Sequence, residues 1–120
     1  MSTFGNTGSV ASYAYNRVQS IPSSVSGTPM IQFAEIAVYE LENWTGASIG
    51  TTTIDSKYSS YLINRCVAMT LANMHGVGVH FNWQLGAFNV SKGNATNTET
   101  MQVDAALKAC EQELQSLGRP

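Results

Sequence analysis

Apolar residues recur along this chain at two spacings, and the change from one to the other divides it into elements. From residue 28 the spacing is helical. Thr28 suits an N-cap and Pro29 the first helical position. Ile31, Ala34, Val38 and Leu41 follow on one stripe, widened by Phe33, Ile36 and Ala37, with Glu35, Glu40 and Glu42 on the polar side. Thr45-Gly46 ends this first helix, since glycine takes the left-handed position after a C-terminus at no steric cost. A Ser/Thr/Gly loop covers 47–53, and a second helix starts near Thr53 or Asp55, either of which can cap it. Tyr58, Leu62, Arg65, Met69 and Ala72 share a stripe, with Tyr61, Cys66, Val67 and Met74 beside it. Apolar groups on most sides predict the central helix of the fold. Arg65 is its odd member, and it either pairs with a Glu of the first helix or reaches to the edge. Asn73-Met74-His75-Gly76 closes the helix.

The period then drops to two. Phe81, Trp83 and Leu85 alternate with Asn82 and Gln84, and Phe88 and Val90 with Asn89 and Ser91, between punctuating glycines at 86 and 93. Alternation of this kind predicts half-buried strands, so residues 78–93 read as a short β-ribbon set between helices. The link 93–98 is polar. A third helix runs from Asn97 or Thr98 to Leu117, with Val103, Leu107, Cys110, Leu114 and Leu117 as its apolar seam. Thr98 with Met101 lacks the acid of a capping box, but Glu99 lies in the first turn, where the helix dipole favours it. Gly118 ends the helix and Arg119-Pro120 follow it.

Residues 1–28 show no helical period. Tyr13, Tyr15 and Val18 alternate weakly, which suggests a flexible or extended arm, and Pro22 to Gly27 reads as a Ser-rich linker. The expected fold is therefore mainly α: a small bundle of three main helices, a β-hairpin between the second and third, and an extended N-terminal arm. Residues 29–120 form its single domain.

Composition narrows the function. A length of 120 residues fits one domain that folds without staples. Only 12% of residues are charged, about half the usual share. A surface poor in ions has little to desolvate when a partner docks, so protein–protein contact is favoured. Net charge is −2 with Lys and Arg scattered singly, which leaves no basic stripe for nucleic acid or an anionic membrane. No secretory signal is visible, and no apolar run reaches the ~18 residues of a bilayer span. Without a signal, the glycosylation patterns at Asn43-Trp44-Thr45 and Asn94-Ala95-Thr96 are chance matches.

Candidate chemistry is sparse. Cys66 and Cys110, the only cysteines, both fall on apolar helix sides, as two buried free thiols or one helix–helix disulfide. Neither has a zinc-ligand spacing, and His75 and His80 are separated by two glycines. No Ser sits in a nucleophile elbow and no phosphate loop follows Gly76 or Gly78. Glu40/Glu42 and Glu111/Glu113, spaced by two, splay around their helices and read as a solvated face. No enzyme activity, cofactor or metal is expected. Trp44 is expected to cap the core, and Trp83, on a ribbon too thin to bury it, to meet a neighbour.

Three features stand in order: Glu42-Asn43-Trp44-Thr45-Gly46 at a helix end, Ile54-Asp55-Ser56-Lys57-Tyr58 with Leu62-Ile63-Asn64-Arg65-Cys66-Val67-Ala68 in a long helix, and Leu85-Gly86-Ala87-Phe88-Asn89-Val90-Ser91-Lys92-Gly93 before a last helix. This order resembles the head–tail connector (adaptor, neck) proteins of tailed bacteriophages. Those are small helical proteins with an acidic helix ending in aromatic-Thr-Gly and a ribbon similar to Ile-Gly-Xaa-Phe-Ser-Val-Ser-Lys-Gly. Leu85 and Asn89 here stand in place of Ile and Ser. The similarity covers about residues 29–119, and the stretch before it departs from the family pattern, in which the first helix starts early.

The resemblance implies a structural subunit of the virion. Copies would form a homo-oligomeric ring, commonly twelve-fold, beneath the portal protein and above the tail or a second neck protein. Genomic DNA would pass through the channel without sequence-specific binding, and no membrane would be involved. The interface residues on this reading are Phe81, Trp83, Leu85, Phe88, Val90, Lys92 and Arg119. Two alternatives stay open: a tail-terminator or tail-completion subunit, whose family carries more strand, and a small helical regulator that binds protein or DNA.

Overall fold

A computed structural model of the chain describes residues 3–18, 27–82, 87–91, 93 and 96–117. Its largest elements follow the helical stripes. Helix α2 spans Gly27–Thr45, α3 Ser59–His75 and α4 Asn97–Leu117. Among the described residues there are four helices, because another, α1, spans Thr7–Arg17. Two small antiparallel sheets complete the structure: β1 (Thr3–Gly5) pairs with β2 (Ile54–Asp55), and β3 (Gly78–Asn82) with β4 (Ala87–Ser91).

Helix α1 corrects the expectation of an extended arm over residues 1–28. The side chain of Asn6 accepts a hydrogen bond from Ser9 N–H at 3.0 Å and so caps the helix. Thr7, Val10, Ala11, Ala14 and Val18 are buried, a helical stripe made of small residues. The aromatic residues that suggest alternation lie on the other side, with Tyr13 56% and Tyr15 48% exposed. Large side chains dominate a pattern read by eye, but here the small ones carry the burial. The helix packs on both α2 and α3. Of the remaining arm and linker, residues 1–2 and 19–26 lie outside the described residues.

One helix start and one helix cap also differ from expectation. Ile54 and Asp55 are taken up by pairing with β1, and Asp55 caps a 3-10 turn over Ser56–Tyr58 by accepting from Lys57 N–H at 3.0 Å. Helix α3 therefore begins at Ser59. At α4 a capping box does exist, two residues ahead of the Thr98 considered for it. Glu99 N–H donates to Thr96 Oγ1 at 3.1 Å, and Thr96 N–H donates back to Glu99 Oε1 at 2.9 Å.

Helix ends fall as the glycines direct. Gly46 N–H donates to the Glu42 carbonyl at 2.8 Å. Gly76 closes α3 with φ 70°, in the left-handed region. The exit of the second sheet comes against this cap: a Cβ built on Gly93, itself at φ 57°, would lie 2.7 Å from the Gly76 carbonyl oxygen. Any larger residue at 93 would push the sheet off α3.

The core lies where α3 meets α1, α2 and α4. Val10, Ala14, Met30, Ala34, Val38, Leu41, Tyr61, Leu62, Ala68, Val103, Leu107 and Leu114 are all buried there. Alanines on α1, α2 and α3 are buried among them. Cys66 and Cys110 are buried free thiols in this core, and Cys66 Sγ donates to the Met30 carbonyl at 3.3 Å. Trp44 is buried as well. Among the described residues, no helix is long and apolar enough to cross a membrane.

Candidate functional site

The sheet formed by β3 and β4 is rooted in the helical body by one face. Its register pairs Val79 with Val90 and Phe81 with Phe88. These four share a face because successive strand side chains alternate. Phe81 and Phe88, each 8% exposed, stack with ring centroids 4.7 Å apart. Burying two phenylalanines removes enough apolar surface to stabilise the root by about 1.5–3 kcal/mol each. The opposite face carries His80, Asn89 and Ser91, all exposed.

The body meets this root with an aromatic, a cation and an anion. Trp44, at the end of α2, meets Phe81 in an edge-to-face contact with ring centroids 6.2 Å apart. Trp44 Nε1–H donates to the Leu114 carbonyl in the last turn of α4 at 3.3 Å. Arg65 lies with its guanidinium carbon 4.6 Å from the centre of the Phe88 ring. Glu111 of α4 accepts the Phe88 main-chain N–H at 2.9 Å.

Arg65 resolves the choice left by its position in the sequence. Its Nε and Nη2 donate to the two carboxylate oxygens of Glu40 at 3.0 and 3.2 Å, a bidentate pair with little solvent access. Burial opposes the charge, but the hydrogen bond and charge of Glu40 outweigh it and hold the guanidinium above its usual pKa. Burial also pushes the neighbouring Tyr61 phenol far up, and the Glu40 charge adds to that. Arg65 Nη1 is buried and has no hydrogen-bond partner among the described residues.

The paired glutamates are not a solvated face. Glu40 holds Arg65, and Glu42 Oε2 accepts Ile49 N–H at 2.8 Å and Gly50 N–H at 3.0 Å. Glu111 holds β4, and Glu113 accepts the Ser60 hydroxyl at 2.6 Å. Spacing by two does splay each pair around its helix, but the two directions lead to two partners. The sequence has no local signal for this, because every partner but the loop of Glu42 lies on another element.

Two open depressions flank α3. One, about 340 Å³, runs beside β3 and is lined by Phe33, Arg65, Met69, Ala72, Val77 and Val79 among others. The other, about 630 Å³, lies between the end of α1 and helices α3 and α4, with Arg17, Leu71, His75, Glu99 and Gln102 on its walls. In it His75 Nδ1 is 2.9 Å from Glu99 Oε2. The Thr96 main chain and hydroxyl, followed by His75, hold the Glu99 carboxyl below its ordinary value. His80 lies apart, on the outer face of β3, so the two histidines share no site.

Among the described residues, no group of three His, Cys, Asp or Glu side chains could hold a metal ion. Burial pushes the thiols of Cys66 and Cys110 up to about 12, so neither has thiolate character near neutral pH.

Of the expected interface residues, Phe81 and Phe88 are turned to their own body, which leaves little of either ring for a neighbour. Val90 is half-buried on the same face. Trp83, Leu85, Lys92 and Arg119 lie outside the described residues. No protein-family model, curated protein or solved structure matches the chain.

Proposed function

We propose that this protein is a non-enzymatic structural subunit of a phage head–tail connector ring, docked beneath the portal and extending the DNA channel toward the tail. The observation that carries the reading is the rooted two-stranded sheet. It is held to the body by Phe81, Phe88, Arg65 and Glu111, and its other face is polar and exposed. A rigidly mounted two-stranded sheet is suited to join subunits through main-chain hydrogen bonds.

Other features support the same reading. The body measures 41 × 33 × 16 Å, a slab whose broad faces can stack laterally around an axis. A net charge of −2 without a basic stripe suits a channel wall that lets DNA slide.

Native mass spectrometry and electron microscopy test the reading, on the protein alone and mixed with portal rings of the phage that encodes it. The expected result is a closed ring of one stoichiometry, formed alone or on the portal. A chain that stays monomeric and ignores the portal overturns it.

A further inference from the structure

We propose that His75 and Glu99 form a pH-responsive clamp at the base of the β3–β4 sheet, held more tightly when His75 carries a proton on both ring nitrogens. The clamp lies within one chain and needs no partner, so it does not depend on the connector reading.

The pair stands where the chain leaves the helical body and where it comes back. His75 is the last residue of α3. Gly76 turns the chain in the left-handed region, Val77 N–H donates to the Ala72 carbonyl at 2.9 Å, and β3 begins at Gly78. On the return, β4 ends at Ser91, Gly93 comes against the Gly76 carbonyl, and Thr96 and Glu99 open α4. The 2.9 Å contact between His75 Nδ1 and Glu99 Oε2 therefore ties the two ends of the excursion together.

The carboxylate is positioned independently of the imidazole. Glu99 Oε1 accepts Thr96 N–H at 2.9 Å, and Glu99 N–H donates to Thr96 Oγ1 at 3.1 Å, so the capping box leaves Oε2 for His75. The helix ends add to the match. A cation is favoured in the last turn of α3 and an anion in the first turn of α4, the places His75 and Glu99 occupy. The His75 side chain is 16% exposed and that of Glu99 35%, open enough to exchange protons with solvent yet partly shielded from salt. Glu99 is held below the ordinary carboxylate value, so it stays ionised across the range in which an imidazole changes charge.

Few other charges compete at the pair. Among the described residues that line the depression beside it, Arg17 of α1 is the only other charged group, and it donates to Asn64 Oδ1 at 2.6 Å. Helix α2 brings none, and Gln102 and Ala105 of α4 are neutral. A neutral ring donates to Glu99 only with its proton on Nδ1. The cation has a proton on both nitrogens and adds its charge to the contact. The clamp is therefore tighter on the acid side of the imidazole range and looser on the alkaline side.

Amide exchange of the full chain at about pH 5.5 and about pH 7.5 is the test, with intrinsic exchange rates divided out and the oligomeric state held the same. These conditions lie on either side of the ordinary imidazole value of about 6.5. The amides of β3 and β4 should gain about two- to fivefold in protection over those of α2 at the lower pH, the range of a partly exposed ion pair. His80→Gln, on the exposed outer face of β3, should keep the gain. His75→Gln cannot titrate, and Glu99→Gln can complete the capping box but carries no charge, so both should lose it. No gain in the wild type, a gain lost in His80→Gln, or a gain that survives in His75→Gln or Glu99→Gln overturns the proposal. If His75→Gln fails to fold, Glu99→Gln decides alone.

Discussion

Arg65 binds Glu40 through two hydrogen bonds of 3.0 and 3.2 Å while its guanidinium lies 4.6 Å from the Phe88 ring centre. One side chain thus ties α3 to α2 and to the sheet. Removing either partner strands a buried charge. Arg65→Ala and Glu40→Ala are each expected to cost about 3–5 kcal/mol in urea denaturation, and replacing both with apolar residues of similar volume to recover much of that loss. A double variant that loses as much as the two single variants added together would show that the charges do not act as a pair.

The root of the sheet should be as sensitive as the core. Phe88→Ala leaves a cavity beneath β4 and removes the ring facing Arg65, for an expected cost of about 3–5 kcal/mol. Amide exchange should place the loss in β3 and β4 first, with α1 and α2 retaining protection under mild conditions.

Glu111→Ala should act on the edge rather than the core. It removes the acceptor of Phe88 N–H and is expected to cost about 1.5–3 kcal/mol, with faster exchange at that amide. Unchanged exchange at Phe88 would rule out the cap.

The capping box of α4 gives an acid-side dependence. The folded state holds Glu99 below its ordinary carboxylate value, chiefly through the Thr96 main chain and hydroxyl. Its contribution is therefore present above the unfolded pKa of about 4.3 and is lost as pH falls through the folded value. In Glu99→Gln this part of the acid slope should vanish. Thr96→Ala removes the reciprocal bond and should cost about 0.5–2 kcal/mol in thermal unfolding near neutral pH.

The two thiols give the opposite dependence. Both are pushed up to about 12 in the folded protein. Below the unfolded value of about 8.5 they are neutral in either state, and above it only the unfolded chain ionises. Stability should then fall by up to about 1.4 kcal/mol per pH unit for each thiol, and less in Cys66→Ala and Cys110→Ala. A thiol reagent at pH 8 should leave the native protein unlabelled and modify both cysteines in urea.

Three helices were legible because their information is local. Ile31, Ala34, Val38 and Leu41 repeat at the helical period, as do Val103, Leu107, Cys110 and Leu114, and all of them but the half-buried Ile31 are buried. The alternation around Phe81 and Phe88 likewise lies on β3 and β4. Helix α1 gives only a weak local signal, because its buried stripe is mostly valine and alanine while its tyrosines face out. The capping box of Thr96 and Glu99 is also written in the sequence, two residues ahead of Thr98.

Periodicity by itself determined that this chain makes amphipathic helices with a short β excursion, since which residues seek burial is a property of neighbours within a few turns. Only the tertiary structure decided how the charges and the strands are used. Glu40, Glu42, Asp55, Glu99, Glu111 and Glu113, six of the eight acids, each accept a hydrogen bond. Glu40, Glu111 and Glu113 do so from partners at least 23 residues away. The face of the sheet that meets the body was set in the same way, by Arg65, Trp44 and Glu111 arriving from three different helices. Local spacing states which groups lie on one face of an element, but a hydrogen bond between elements depends on distances that exist only once the helices have packed.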